Sequence, residues 1–126
     1  MTKVIGITGG IGSGKTTLSK HLTKLGYLVH ESDKVVFEMY DSPSKQFINF
    51  VKNNISQNAV KGDRLNKKEI TKNIFTNNQT KKKLEKYIHK KVQLSRKKFI
   101  QSNLKNHKKI IFVDIPLLLE KKLDNE

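Results

Sequence analysis

The chain predicts an α/β fold with a parallel sheet flanked by helices, and three observations carry that prediction. Short apolar runs at Val4-Ile5-Gly6-Ile7, Tyr27-Leu28-Val29-His30 and Ile110-Ile111-Phe112-Val113 lack polar alternation, as strands covered on both faces do. A helical period separates the first run from the second, which makes a βαβ unit and so a parallel pair. Between the first run and its helix lies Gly9-Gly10-Ile11-Gly12-Ser13-Gly14-Lys15-Thr16. This is the G-x-x-x-x-G-K-[ST] phosphate-binding pattern in its required strand–loop–helix setting.

Each element follows from local chemistry. Lys3 to Thr8 reads as a buried strand feeding the loop. Lys15 to Leu25 reads as a helix with Leu18, Leu22 and Leu25 on one stripe, stopped by Gly26. The second strand, from Tyr27, ends at His30. Asp33 stands where a helix N-cap belongs, before Val35, Val36, Met39 and Tyr40. Ser42-Pro43 breaks that helix, and Ser44 caps another carrying Phe47, Ile48 and Val51. Asn53 to Asn66 is polar and rich in turn residues, with Lys61-Gly62-Asp63 inside it. Helical periodicity returns at Ile70, Ile74 and Phe75. A long amphipathic segment then puts Leu84, Ile88, Val92, Ser95 and Phe99 on one stripe and ends at Asn106-His107. The third strand finishes on Asp114, and Pro116 fits the first turn of a leucine-rich helix. A strand carrying such a loop is normally central in its sheet, so a further strand is expected beyond these three.

Bulk properties narrow the function. A length of 126 residues sets one domain at most, and the absence of cysteine excludes disulfides and thiolate metal sites. No long apolar run or charged leader stands in the sequence, which predicts a cytoplasmic protein without a membrane span or secretory signal. The net charge of +15 comes from 24 Lys and only 2 Arg, Arg64 and Arg96, alongside 11 Asn. Readers of phosphate and base edges favour Arg. The lysines are also spread along the chain, so the composition predicts attraction to anionic small molecules and no specific nucleic-acid surface.

The chemistry concentrates in a few residues. Glycines let successive backbone N–H groups turn inward to hold phosphate oxygens, and the following helix adds its positive end. Gly10, Ile11, Gly12, Ser13, Gly14, Lys15, Thr16 and Thr17 are the candidate nucleotide contacts. Lys15 brings a point charge for the β- and γ-phosphates, and Thr16 offers a hydroxyl to Mg²⁺. Asp33 follows the second strand on the carboxyl side of the sheet, where ligands bind in open α/β folds. It reads either as a helix cap or as the carboxylate that serves an acceptor hydroxyl or the metal's water shell. Asp114 reads as an acid reaching Mg²⁺ through water or as a turn aspartate before Pro116. Glu120 reads as surface ion-pair material, and Glu31 and Ser32 are weaker candidates for lining an acceptor site. Arg64 and Lys67 precede the third apolar helix, as contacts for substrate phosphates or as solvated cations. His89 lies beside the core stripe of the long helix, while His21, His30 and His107 make no metal spacing.

Several segments together resemble the dephospho-CoA kinase family. Ile5 to Thr17 is similar to its opening T-G-G-I-G-S-G-K-[ST]-T run, and Gly26 followed by Glu31-Ser32-Asp33 is similar to its D-A-D segment. Val113-Asp114-Ile115-Pro116-Leu117-Leu118-Leu119-Glu120 resembles its D-I-P-L-L-[FY]-E segment. Leu65-Asn66-Lys67 and Leu84-Glu85 with His89 resemble two looser elements. The resemblance implies an incomplete phosphate-loop kinase domain, with residues 1–33 and 108–126 as nucleotide-binding core and 34–107 as a helical acceptor-binding region. It implies ATP with Mg²⁺ phosphorylating the 3′-hydroxyl of dephospho-CoA, the last step of coenzyme A synthesis. Lys15 and Asp33 would be catalytic, with Asp33, Arg64, Lys67 and His89 on the substrate. Glu31-Ser32 replaces Asp-Ala, Phe37 stands at a frequent Arg position, Lys67 replaces Arg, and Lys90 replaces Pro. The family continues into a lid with paired arginines and an adenine-contacting segment, so this length of chain is expected to bind and turn over poorly. The alternatives are another small-molecule phosphate-loop kinase, acting on a nucleoside or nucleotide, and a truncated, inactive nucleotide-binding fragment.

Overall fold

The computed structural model describes residues 2–8 and 14–115. In chain order it contains β1 (Lys3–Thr8), α1 (Lys15–Lys24), β2 (Leu28–His30), α2 (Ser32–Asp41) and α3 (Lys45–Asn54). A 3₁₀ turn (Gln57–Ala59), β3 (Val60–Lys61), β4 (Arg64–Leu65), α4 (Lys67–Thr76), α5 (Asn78–Lys105) and β5 (Ile110–Ile115) follow. The chain divides into two compact units. One holds the residues up to Ser32 and those from Val92 onward, and the other holds Asp33–Lys91. The single long helix α5 contributes residues to both.

The first unit is built on a parallel sheet in the order β1-β5-β2. Ile7 is level with Asp114 across β1 and β5, and His30 is level with Val113 across β2 and β5. All three strands therefore end at one edge. The expected parallel βαβ unit is present, with β5 inserted between the two strands it joins. Among the described residues β5 is the central strand, and β1 pairs on one side only. Ile111 and Val113 on β5, Ile7 on β1 and Val92 on α5 are buried, and Tyr27 meets Phe112 edge-on at 5.4 Å. Val4 and Ile5 remain 42% and 40% exposed, so β1 is not the buried strand its apolar run predicts: among the described residues it is paired on one side only.

The second unit packs helices around Phe47, Val51, Ala59, Ile70 and Leu84. Tyr87 stacks on Phe50 at 4.3 Å and on Phe47 at 5.3 Å, and Tyr40 meets Phe47 edge-on at 5.5 Å. Helices α3 and α4 are capped at their starts by side chains. Ser44 Oγ accepts from the Phe47 amide at 3.1 Å, and Asn66 Oδ1 accepts from the Glu69 amide at 3.2 Å.

Four local expectations need correcting. Asp33 is not the cap of α2: the helix already begins at Ser32, which leaves Asp33 inside its first turn. On α1 the buried position is Ser19, while Leu18 and Leu25 are 45% and 61% exposed. Phe75 is 89% exposed; it falls about 100° around α4 from Ile74, off the buried stripe that Ile70 and Ile74 share. The polar segment before α4 contains a small antiparallel hairpin, with Val60 opposite Leu65 and Lys61 opposite Arg64. Gly62 turns it at a φ of 63°. The helix expected after Pro116 lies outside the described residues.

Candidate active site

In the first unit the candidate residues gather at the carboxyl edge of the sheet. Gly14 takes a left-handed conformation, φ 82° and ψ 8°, and its carbonyl accepts the first helical bond, from Leu18 N at 2.9 Å. A side chain at this position would be strained by that backbone, although a Cβ would meet open space. Lys15 opens α1 and is half-buried. The first turn carries no acidic residue, and His21 and Lys24 lie in the last turn. The charges thus leave the positive end of the helix uncompensated and satisfy its negative end. An anion is the complement of such a start. Gly10, Ile11, Gly12 and Ser13 lie outside the described residues, as does the side chain of Thr16. Thr17 is exposed in the first turn.

Asp114 is 3% exposed. The Ser32 amide donates to its Oδ1 at 3.0 Å, and the Ser32 hydroxyl donates to its backbone carbonyl at 3.4 Å. One carboxylate oxygen is thereby fixed in direction by the residue that begins α2. A buried, oriented carboxylate at a strand end is the hard-oxygen donor that Mg²⁺ prefers. The reading of Asp114 as a turn residue before Pro116 would not require this burial.

Behind that carboxylate lies a polar group that the sequence patterning missed. His30 is 6% exposed, its Nε2 pairs with Ser95 Oγ at 3.0 Å, and its ring leans on Phe99 at 5.4 Å. Burial lowers the His30 pKa from its ordinary value; Asp114 opposes the shift and Arg96 adds to it. The signal was present in the sequence. Ser95 is a polar residue on the apolar stripe of a long helix, and His30 ends an otherwise apolar strand. Each looked for a buried partner and found the other.

The remaining candidates belong to the second unit. Asp33 is exposed in the first turn of α2. Arg64 is exposed on β4, and Lys67 is exposed at the first position of α4. The Lys67 ammonium stands 5.4 Å from the centre of the Phe37 ring and 5.6 Å from that of Tyr40. His89 is half-buried on α5. Glu120 lies outside the described residues.

A family model for dephospho-CoA kinase matches residues 3–126. Dephospho-CoA kinase of Bartonella henselae is 33% identical over 121 residues, covering 95% of this chain and 60% of that protein. The Fusobacterium nucleatum enzyme of the same name is 37% identical over 123 residues, covering 96% and 61%. Among solved structures, dephospho-CoA kinase from Campylobacter jejuni aligns with a TM-score of 0.71 at 25% identity, covering 93% of this chain and 58% of that one. A Thermus thermophilus protein, TT1252, aligns with a TM-score of 0.65 at 29% identity, covering 95% and 59%. The chain therefore spans about three fifths of the length of its curated relatives. With a family model matching residues 3–126, nearly the whole of its length, the chain belongs to the dephospho-CoA kinase family.

Proposed function

We propose that this protein transfers the γ-phosphoryl group of ATP to the ribose 3′-hydroxyl of dephospho-CoA, giving coenzyme A and ADP. The observation that carries the reading is the carboxyl edge of the sheet, where the start of α1 and the oriented Asp114 carboxylate belong to one compact unit. Phosphoryl transfer asks little covalent chemistry of a protein; it asks for positioning and for charge stabilisation.

The residues take the following parts. The glycine-rich loop and the amides of α1 bind the polyphosphate. Lys15 places its ammonium on the β- and γ-phosphates and counters the charge that grows on the leaving oxygen. Thr16 and Asp114 would be the oxygen donors that hold Mg²⁺. The bound ion supplies neutralisation of phosphate charge. Ser32 keeps Asp114 aimed. Asp33 accepts the proton of the acceptor hydroxyl as its oxygen attacks phosphorus. Arg64, Lys67 and His89 bind the remainder of the acceptor.

The test is direct. The purified protein is given ATP, Mg²⁺ and dephospho-CoA, and coenzyme A is measured by mass spectrometry beside parallel reactions with nucleosides and nucleoside monophosphates. Coenzyme A should form in preference to any nucleotide product. Phosphorylation of a nucleoside or nucleotide with dephospho-CoA left untouched would replace this reading with the nearer alternative of another small-molecule kinase.

A further inference from the structure

Phe37 and the cation over it each break a local rule. Phe37 is a large apolar ring left 59% exposed on α2. The cation over it, Lys67, occupies the first position of α4, at the positive end of that helix, where a positive charge is unfavourable. Local rules are most often broken where function requires it.

We propose that Phe37, assisted by Tyr40, is a positioning residue that holds the Lys67 ammonium ready for the diphosphate of the acceptor. The inference rests on the acceptor assigned above and deepens it. A lysine stem is flexible, and its ammonium is strongly hydrated. Two ring faces at 5.4 and 5.6 Å attract that ammonium within the range of a cation–π contact. They narrow its positions before any ligand arrives, which reduces the ordering that binding must supply.

The placement on α2 supports the assignment. Asp33, Phe37 and Tyr40 are spaced i, i+4 and i+7, so they share one face of the helix. Asp33 and Phe37 are separated by about 6 Å of helix rise. A ligand whose hydroxyl meets Asp33 therefore needs an anionic group within a few ångströms of it to reach Lys67. The ribose of dephospho-CoA carries both, the 3′-hydroxyl and the 5′-diphosphate. On its other side Phe37 borders an open groove of about 660 Å³ lined also by Lys34, Glu38, Asp41 and Ser42. Two carboxylates and one lysine line that side, a mixed surface, whereas the Lys67 side presents an ammonium over two rings.

The experiment follows the ε-methylene protons of Lys67 by NMR while dephospho-CoA is added, with turnover measured in parallel. In the wild-type protein these protons should be shielded by the rings and should shift as ligand binds. Phe37→Leu keeps an apolar side chain at an exposed site, so folding is retained and melting checks it. This variant should lose part of the shielding and raise the Kd and KM for dephospho-CoA about two- to fivefold, with the KM for ATP unmoved. Phe37→Tyr should restore both. Lys67→Met should weaken acceptor binding about tenfold or more, and adding Phe37→Leu to it should cost nothing further. Equal weakening by Phe37→Leu with and without Lys67, or a Lys67 signal that stays still while dephospho-CoA binds, overturns the positioning role and leaves the kinase reading standing. A protein that neither binds nor phosphorylates dephospho-CoA overturns both.

Discussion

Lys15 brings the one side-chain charge at the start of α1, where the first turn carries no acid to compete for it. Replacing it by alanine removes transition-state stabilisation that the backbone amides cannot supply, so Lys15→Ala should abolish phosphoryl transfer while the fold still melts cooperatively. Asp33 has a different signature. Asp33→Asn keeps the shape and loses the base, so kcat should fall about a hundredfold or more with the KM for ATP little changed; equal losses in both would mark Asp33 as structural. His30 gives a pH prediction whose sign is fixed by burial. Its native pKa is lowered, so the unfolded chain takes up the proton first. The His30 contribution to stability is complete above the ordinary histidine pKa of about 6.5 and is lost as pH falls below it toward the native value. His30→Gln should therefore flatten the decline in melting temperature between about pH 7 and pH 5. An unchanged slope would place the origin of that decline elsewhere.

At the scale of elements, legibility followed the length and regularity of the pattern. Strands β1 and β5 and helix α5 stand out because their apolar runs or stripes are long, although on β1 only Ile7 is buried. The β3–β4 hairpin was not legible, since two residue pairs in a polar segment leave only Lys61-Gly62-Asp63 as a turn signal. Phe75 and Leu18 show the other failure. Periodicity counts apolar residues, yet the covering neighbour decides which of them is buried, and on α1 that position falls to Ser19. In the candidate site, the places of Lys15 at the start of α1 and of Asp114 near the end of β5 were readable from the flanking apolar patterns. The Ser32–Asp114 and His30–Ser95 contacts were not, because they join positions 82 and 65 residues apart. The Ser44 cap was readable, unlike the start of α2, and it is testable. Ser44→Ala removes the acceptor for the Phe47 amide and should lower unfolding stability by about 0.5–2 kcal/mol in urea titrations. No change would mean that solvent satisfies that amide equally well.

For the whole molecule two properties oppose each other in solution. The charge of +15 on 126 residues makes copies of the chain repel. Among the described residues, strand β1 is hydrogen-bonded to β5 on one side and carries Val4 and Ile5 at 42% and 40% exposure, an edge of the kind that pairs with another chain. Repulsion between exposed charges is screened over about 30 Å at 0.01 M salt and about 3 Å at 1 M, whereas backbone pairing at an edge is not weakened in that way. The chain should therefore stay dispersed at low ionic strength and associate as salt is raised. Light scattering across a sodium chloride series reads this directly. Val4→Lys, a charge on the open strand, should suppress the salt-induced association, as inserted lysines do at natural edges. Lys105→Glu, which lowers the net charge away from that strand, should move the onset to lower salt. If scattering is independent of salt, or if Val4→Lys associates as readily as the parent chain, β1 is not the surface through which copies meet.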